Sequence, residues 1–163
     1  MTQLNQSAAR KVLSTRLAQE MLRSPLMRLA YIGLDNYPRV VPVGYIWNGD
    51  AFIVCTAEEA PKVRALAANP RVAITIDTDS QPPHILLVRG TAGIEIVNGV
   101  PAEYLDASKK YVPLEQWDAF ETQVRGLYKR MARISIRPEW AKLIDFENTL
   151  PTAVARLAAA RAD

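Results

Sequence analysis

Lys62 is the residue of this 163-residue sequence that most invites a chemical reading. Pro61 precedes it, and proline suits the first position of a helix, where its missing N–H costs nothing and its φ is already right. A lysine in that first turn joins free backbone N–H groups and the positive end of the helix dipole, a combination that can hold a phosphate. On its own such a lysine is ordinarily a solvated charge, so the role needs support from its surroundings. Thr56 could donate its hydroxyl to the same phosphate, or serve as a plain strand-end residue. Thr56 with Glu59 also fits a capping box, but that start would place Pro61 deeper in the helix, so the later start is preferred.

Other reactive side chains are sparse. Cys55 is the single cysteine and His84 the single histidine. That excludes an internal disulfide, a cysteine-rich metal site and a multi-histidine zinc or iron centre, and no metal is expected. Cys55 lies in an apolar run and reads as a small hydrophobe. A lone histidine reads first as a surface or hydrogen-bonded structural residue. No Gly-x-Gly-x-x-Gly or Walker pattern occurs, so neither a Rossmann dinucleotide site nor a P-loop is supported.

The elements that must position these residues can be read from periodicity. Val40 to Trp47 and Ala51 to Thr56 are β-rich, and Asn48-Gly49-Asp50 between them is a hairpin turn signal, which predicts that the two pair antiparallel. A short helix from Pro61 ends at Asn69-Pro70, and Arg71 to Asp77 is a strand. Before this block, Ala9 to Arg23 predicts one amphipathic helix and Leu29 to Leu34 a first strand. After it, His84 to Val97 is the longest strand candidate, with Gly90 and Gly93 as sites for a bulge or sharp coiling. A helical insertion over about 100–131 follows, split at Pro113. In its second helix Trp117, Phe120, Val124, Leu127 and Met131 form one stripe, read as core packing. Arg133 to Arg137 resumes strand character, Trp140 to Phe146 extends it past a break at Pro138, and a short alanine-rich helix ends the chain. Strands in the middle with helices inserted or terminal predict an α+β fold with a β-barrel core.

Composition sets the outer limits. The length suits a single domain, 1–163, and 49% hydrophobic with 23% charged residues is ordinary for a globular chain. A formal net charge of +3 suits an anionic ligand, but the basic residues are spread along the chain and do not form the clustered footprint of a nucleic-acid binder. No apolar run reaches membrane-spanning length and the N-terminus lacks an apolar core segment, so neither a membrane partner nor a signal peptide is expected, and the cytoplasm is the default location.

Three stretches carry a family resemblance: Arg39-Val40-Val41-Pro42-Val43, then Cys55-Thr56, then Lys62 followed by Asn69-Pro70-Arg71-Val72. In order and spacing they resemble the pyridoxamine 5′-phosphate oxidase-like flavin-binding split barrels, a superfamily that also includes deazaflavin-dependent reductases and haem-utilisation proteins. The resemblance spans about Leu29 to Ile96. It implies a six-stranded split β-barrel with N-terminal, inserted and C-terminal helices, a homodimer with the cofactor between subunits, and oxidoreductase chemistry in which hydride passes to or from a small organic substrate. FMN is the implied cofactor, with the deazaflavin coenzyme F420 or haem as alternatives. Lys62, Thr56 and Pro61 would surround the phosphate. Val41, Pro42 and Val43 would lie against the ring, His84 near the place where the family turns a residue toward it, and Arg133 and Trp140 beside the last strand near the pocket.

The sequence also departs from the family pattern. Relatives place polar or basic residues just before the lysine, whereas this chain has Ala60 and Pro61, so the grip on a phosphate would lean on Lys62, backbone N–H groups and Arg39 or Arg64. The chain ends ARLAAARAD without the Arg-x-His and Arg-Leu-x-Pro segments of true pyridoxamine phosphate oxidases. That activity itself is therefore not expected, and the substrate is open. A reading from a different class is a non-catalytic flavin- or haem-binding protein.

Overall fold

A computed structural model describes residues 2–161, with helices α1 Thr2–Leu13, α2 Arg16–Met21, α3 Pro61–Ala68, α4 Ala102–Ser108, α5 Trp117–Leu127 and α6 Thr152–Ala159. The strands are β1 Leu26–Ile32, β2 Pro38–Gly44, β3 Ile46–Trp47, β4 Phe52–Ala57, β5 Arg71–Asp77, β6 Ile85–Asn98 and β7 Arg130–Ile144. All seven form one antiparallel sheet in the order β2-β1-β5-β6-β7-β4-β3. The expected α+β class holds, with seven strands where six are expected.

The extra strand arises at Tyr45. Its ring is fully buried and its hydroxyl donates to the Leu22 carbonyl at 3.0 Å, which turns the backbone out of the ladder and splits the run Val40–Trp47. Only Ile46 and Trp47 then pair with Ile53 and Phe52, while β2 pairs along its whole length with β1, from Leu26↔Gly44 to Ile32↔Pro38. The expected hairpin is thus real but two pairs long. The Asn48-Gly49-Asp50 turn is as anticipated: the Asn48 side chain accepts from the Asp50 and Ala51 N–H groups, and Gly49 takes φ +96°. Since β2 and β3 are the two edges of the sheet and one residue separates them, the sheet must curl on itself. Among the described residues no ladder joins β2 to β3, so the barrel is not closed by hydrogen bonds.

The inner face carries the core: Met27, Leu29, Phe52, Val54, Ile74, Ile76, Leu86, Val88, Ile134 and Ile136 alternate inward along their strands, and Leu13, Ala18 and Leu66 cover it from the helices. The N-terminal helix expected over Ala9–Arg23 is two helices. Ser14 and Thr15 give their hydroxyls to the carbonyls of Lys11 and Val12, competing with the next helical turn and breaking the rod there.

Strands β6 and β7 pair along their length and do not break at Pro138. The ladder instead slips by one residue, leaving Glu139 bulged opposite Arg89 and Gly90. Gly90 is required there, because a Cβ would run into the Arg137 carbonyl. Helices α4 and α5 lie between these two strands in the chain. The stripe expected as core is only partly so: Val124 is buried, Leu127 is 64% exposed, and Met131 belongs to β7. Trp117 and Phe120 pack on each other, and Phe120 stacks on Tyr104 of α4, away from the sheet core.

Candidate functional site: the cleft beside helix α3

Helix α3 begins at Pro61, as the later of the two possible starts requires. Ala60 caps it in extended conformation and no side chain satisfies the first turn, so the Thr56–Glu59 capping box does not form. Val63 donates to the Ala60 carbonyl at 2.9 Å, and the Lys62 N–H has no hydrogen-bond partner among the described residues. The Lys62 ammonium is half-buried and, among the described residues, makes neither an ion pair nor a hydrogen bond. Burial lowers its pKa from the ordinary lysine value.

Arg64 leaves the helix on the opposite flank, since two residues turn an α-helix through about 200°. There it opens, with Pro61, onto a cleft of about 310 Å³ whose far wall is the end of β1 and the start of β2: Tyr31, Gly33, Asp35 and Arg39. Leu34, Glu59 and Ala65 complete the lining, and Lys62 is not part of it. Arg39 is tightly held. Its Nη2 donates to Asp35 Oδ2 at 2.7 Å and its Nη1 to the Tyr37 carbonyl at 3.3 Å. The Arg39 guanidinium, with the Tyr37 N–H, holds the Asp35 carboxyl below its usual range.

Strand β2 leads away from this cleft along the free edge of the sheet. Arg39, Val41 and Val43 are half-buried on its inner side, the two valines packing on the core, while Val40 and Pro42 are exposed. Pro42 therefore occupies the edge position that its missing N–H demands. Thr56, near the end of β4, is half-buried opposite Ala132.

The sequence pattern of the pyridoxamine 5′-phosphate oxidase family matches residues 13–143. The chain belongs to that family. No curated protein matches the sequence at a significant level. Solved structures share the fold. An F420 reductase superposes with a TM-score of 0.58 at 23% identity, covering 76% of this chain and 94% of that one. The heme storage protein HutZ of Vibrio cholerae gives 0.53 at 18% identity, covering 78% and 90%. A FAD-binding protein of Mesorhizobium loti gives 0.51 at 17% identity, covering 78% of this chain and 88% of that one.

The remaining residues singled out by the family pattern lie apart from the cleft. His84 is pinned through its backbone, donating N–H to Thr78 Oγ1 at 3.0 Å and accepting from the Thr78 N–H at 3.1 Å. It precedes β6 beside the Asp77 end of β5, whereas the cleft lies at the other end of β1. Arg133 is committed to Glu103, with Nε and Nη2 at 2.9 and 2.7 Å from Oε1, and to Ser135 Oγ at 3.1 Å. Trp140 carries the Arg89 guanidinium 4.5 Å above its ring. Cys55 is a thiol whose pKa burial pushes up to about 12, as its reading as a small hydrophobe requires.

The structure thus brings Arg39, Pro61 and Arg64 together and sets Lys62 on the opposite flank of the same helix turn. Gly33, Asp35 and Tyr31 were not anticipated. Their signal is local, a glycine, an aspartate two residues on and an arginine four further along a tight turn, and it is visible only once Arg39 is of interest. Among the described residues no group of three or more His, Cys, Asp or Glu could hold a metal ion, and no helix is long and apolar enough to cross a membrane.

Proposed function

We propose that this member of the pyridoxamine 5′-phosphate oxidase family is a flavin-dependent oxidoreductase that binds FMN along the free edge of β2, with the phosphate at the start of α3. The observation that carries this is the continuity of edge and helix start. From Arg39 to Val43 strand β2 extends about 13 Å, which suits a tricyclic ring joined to a ribityl phosphate arm. At one end the cleft joins the edge to the uncapped first turn of α3 through Pro61 and Arg64, and the half-buried Lys62 ammonium stands on the other flank of that turn, so a phosphate at the helix start is flanked by both cations.

When bound, the flavin supplies the hydride chemistry. The residues of this chain bind and orient it: Lys62 and the α3 backbone grip the phosphate, Arg39 and Arg64 reach it from the cleft, Thr56 offers a hydroxyl, and Val41, Pro42 and Val43 offer an apolar and main-chain wall to the ring. His84 lies toward the ring end. Arg133 and Trp140, each occupied by its own partner, act by shaping the outer face of β7. Pro42, Val40 and Tyr37 leave the edge exposed, and a second copy of the chain covers it in a homodimer with one cofactor at each side of the interface.

The test is the absorption spectrum of the purified protein, followed by titration with FMN, F420 and haem. Flavin bands with submicromolar FMN affinity support the proposal. Deazaflavin bands would make the protein a deazaflavin-dependent reductase, for which the shared fold with an F420 reductase speaks. A Soret band without turnover would make it a haem carrier.

A further inference from the structure

We infer that Gly33 and Asp35 are positioning residues that hold the Arg39 guanidinium in place for the anionic group of the ligand. The inference rests on the flavin-phosphate reading above and assigns the β1–β2 turn a part in it.

The turn is built as a cradle. Gly33 accepts the Asn36 N–H and donates its own N–H to the Tyr37 carbonyl, both at 2.9 Å, and Asn36 takes φ +65° to close the loop. Asp35 Oδ1 accepts the Tyr37 N–H at 3.1 Å, which fixes the carboxylate, and Oδ2 then accepts Arg39 Nη2 at 2.7 Å. The guanidinium lies directly against the backbone of Gly33. A Cβ at that position would stand 2.7 Å from Asp35 Oδ1, 3.1 Å from Arg39 Cζ and 3.2 Å from Arg39 Nη2. No other residue type leaves room for the pair as it lies.

A guanidinium has five N–H donors, and two are spent on Asp35 and the Tyr37 carbonyl, which leaves three for an acceptor in the cleft. Holding the fork in one orientation before the ligand arrives reduces the ordering cost of binding. The adjacent carboxylate also lowers the net charge of the cleft. The benefit of the pair therefore lies in geometry, not in charge.

Gly33→Ala separates this role from folding. The atoms its Cβ would displace are the ends of flexible side chains, and the Gly33 backbone lies outside the positive-φ region, so the fold accommodates alanine. Wild type, Gly33→Ala, Asp35→Ala and Asp35→Asn are titrated with FMN and with riboflavin. The Arg39 Nε–H resonance is followed by NMR without ligand, assigned by its loss in Arg39→Lys. Gly33→Ala and Asp35→Ala are expected to melt near wild type, bind FMN about tenfold more weakly, bind riboflavin unchanged, and broaden the Arg39 signal. Asp35→Asn, which keeps an acceptor for Arg39, should fall between. FMN affinity in Gly33→Ala equal to wild type, tighter FMN binding by Asp35→Ala, or an unaltered Arg39 resonance would overturn the inference. A wild type that binds no flavin would overturn the flavin reading instead, and the Arg39 resonance across the variants would then decide the positioning role by itself.

Discussion

Lys62 and Arg64 stand two residues apart on α3 and face opposite ways, Lys62 half-buried on one flank and Arg64 exposed in the cleft on the other. The two cations of this helix start therefore do not duplicate each other. Lys62→Ala should weaken FMN binding by roughly 1.5 to 3 kcal/mol, about ten- to a hundredfold, and leave riboflavin binding unchanged. Equal FMN affinity in mutant and wild type would reduce Lys62 to a solvated lysine.

The depressed pKa of Lys62 gives this contrast a pH dependence. A phosphate favours the charged ammonium, so the advantage of wild type over Lys62→Ala is full at neutral pH and disappears as pH rises through a free-protein pKa below 10.5. For the unliganded protein the sign reverses. Between that lowered pKa and 10.5 the unfolded chain holds the extra proton, so wild-type stability rises with pH over that window, and Lys62→Ala lacks the rise. Denaturation curves of both proteins across the window check the sign.

Val40 is 63% exposed and Tyr37 70% exposed on the free edge β2 and its turn. If a second copy covers this edge, Val40→Lys places a charge in the interface and yields a monomer by light scattering with weakened FMN binding. A Val40→Lys protein that stays dimeric would move the interface elsewhere.

Cys55 should be inert in the folded protein. With its pKa pushed up to about 12 the thiolate is scarce at pH 8, so alkylation by iodoacetamide should be far slower in the native state than in urea, where the ordinary value near 9.0 returns. Rapid modification of the native protein would contradict the burial described for it.

Three substitutions probe the packing. Gly90→Ala should cost about 1–3 kcal/mol, because the obstructing group is the Arg137 backbone carbonyl and cannot rotate away. Phe120→Ala should cost about 1 kcal/mol, the worth of its aromatic contacts with Tyr104 and Trp117, whereas Ile134→Ala in the core should cost about 2–5 kcal/mol. Urea denaturation ranks the three, and a Phe120→Ala cost equal to that of Ile134→Ala would return Phe120 to the core.

Local signals were legible and non-local pairings were not. Arg71–Asp77 was readable to the residue because its alternation and its bracketing turn are both contained in the strand. Pro61 announced the helix start through its missing N–H. The pairing of β2 with β1 was hidden, since the Asn48-Gly49-Asp50 turn names its neighbours correctly but says nothing of how far the hairpin extends. What limits it is the burial of Tyr45, a tertiary fact. The stripe on α5 has helical spacing, but spacing cannot say whether the surface it meets is the sheet or another insertion helix. The Asp35–Arg39 cradle was illegible for a third reason: it depends on what Gly33 lacks.

Tyr45 also governs how far the molecule can open. Its single residue tethers the two edges of a seven-stranded sheet, so their local concentration is set by one peptide unit and not by any hydrogen-bonded seam. Inserting a flexible glycine segment between Gly44 and Tyr45 would leave every ladder intact yet release that tether. The curl would then be held by side-chain packing alone, and the strand edges β2 and β3 would be free to find partners on other chains.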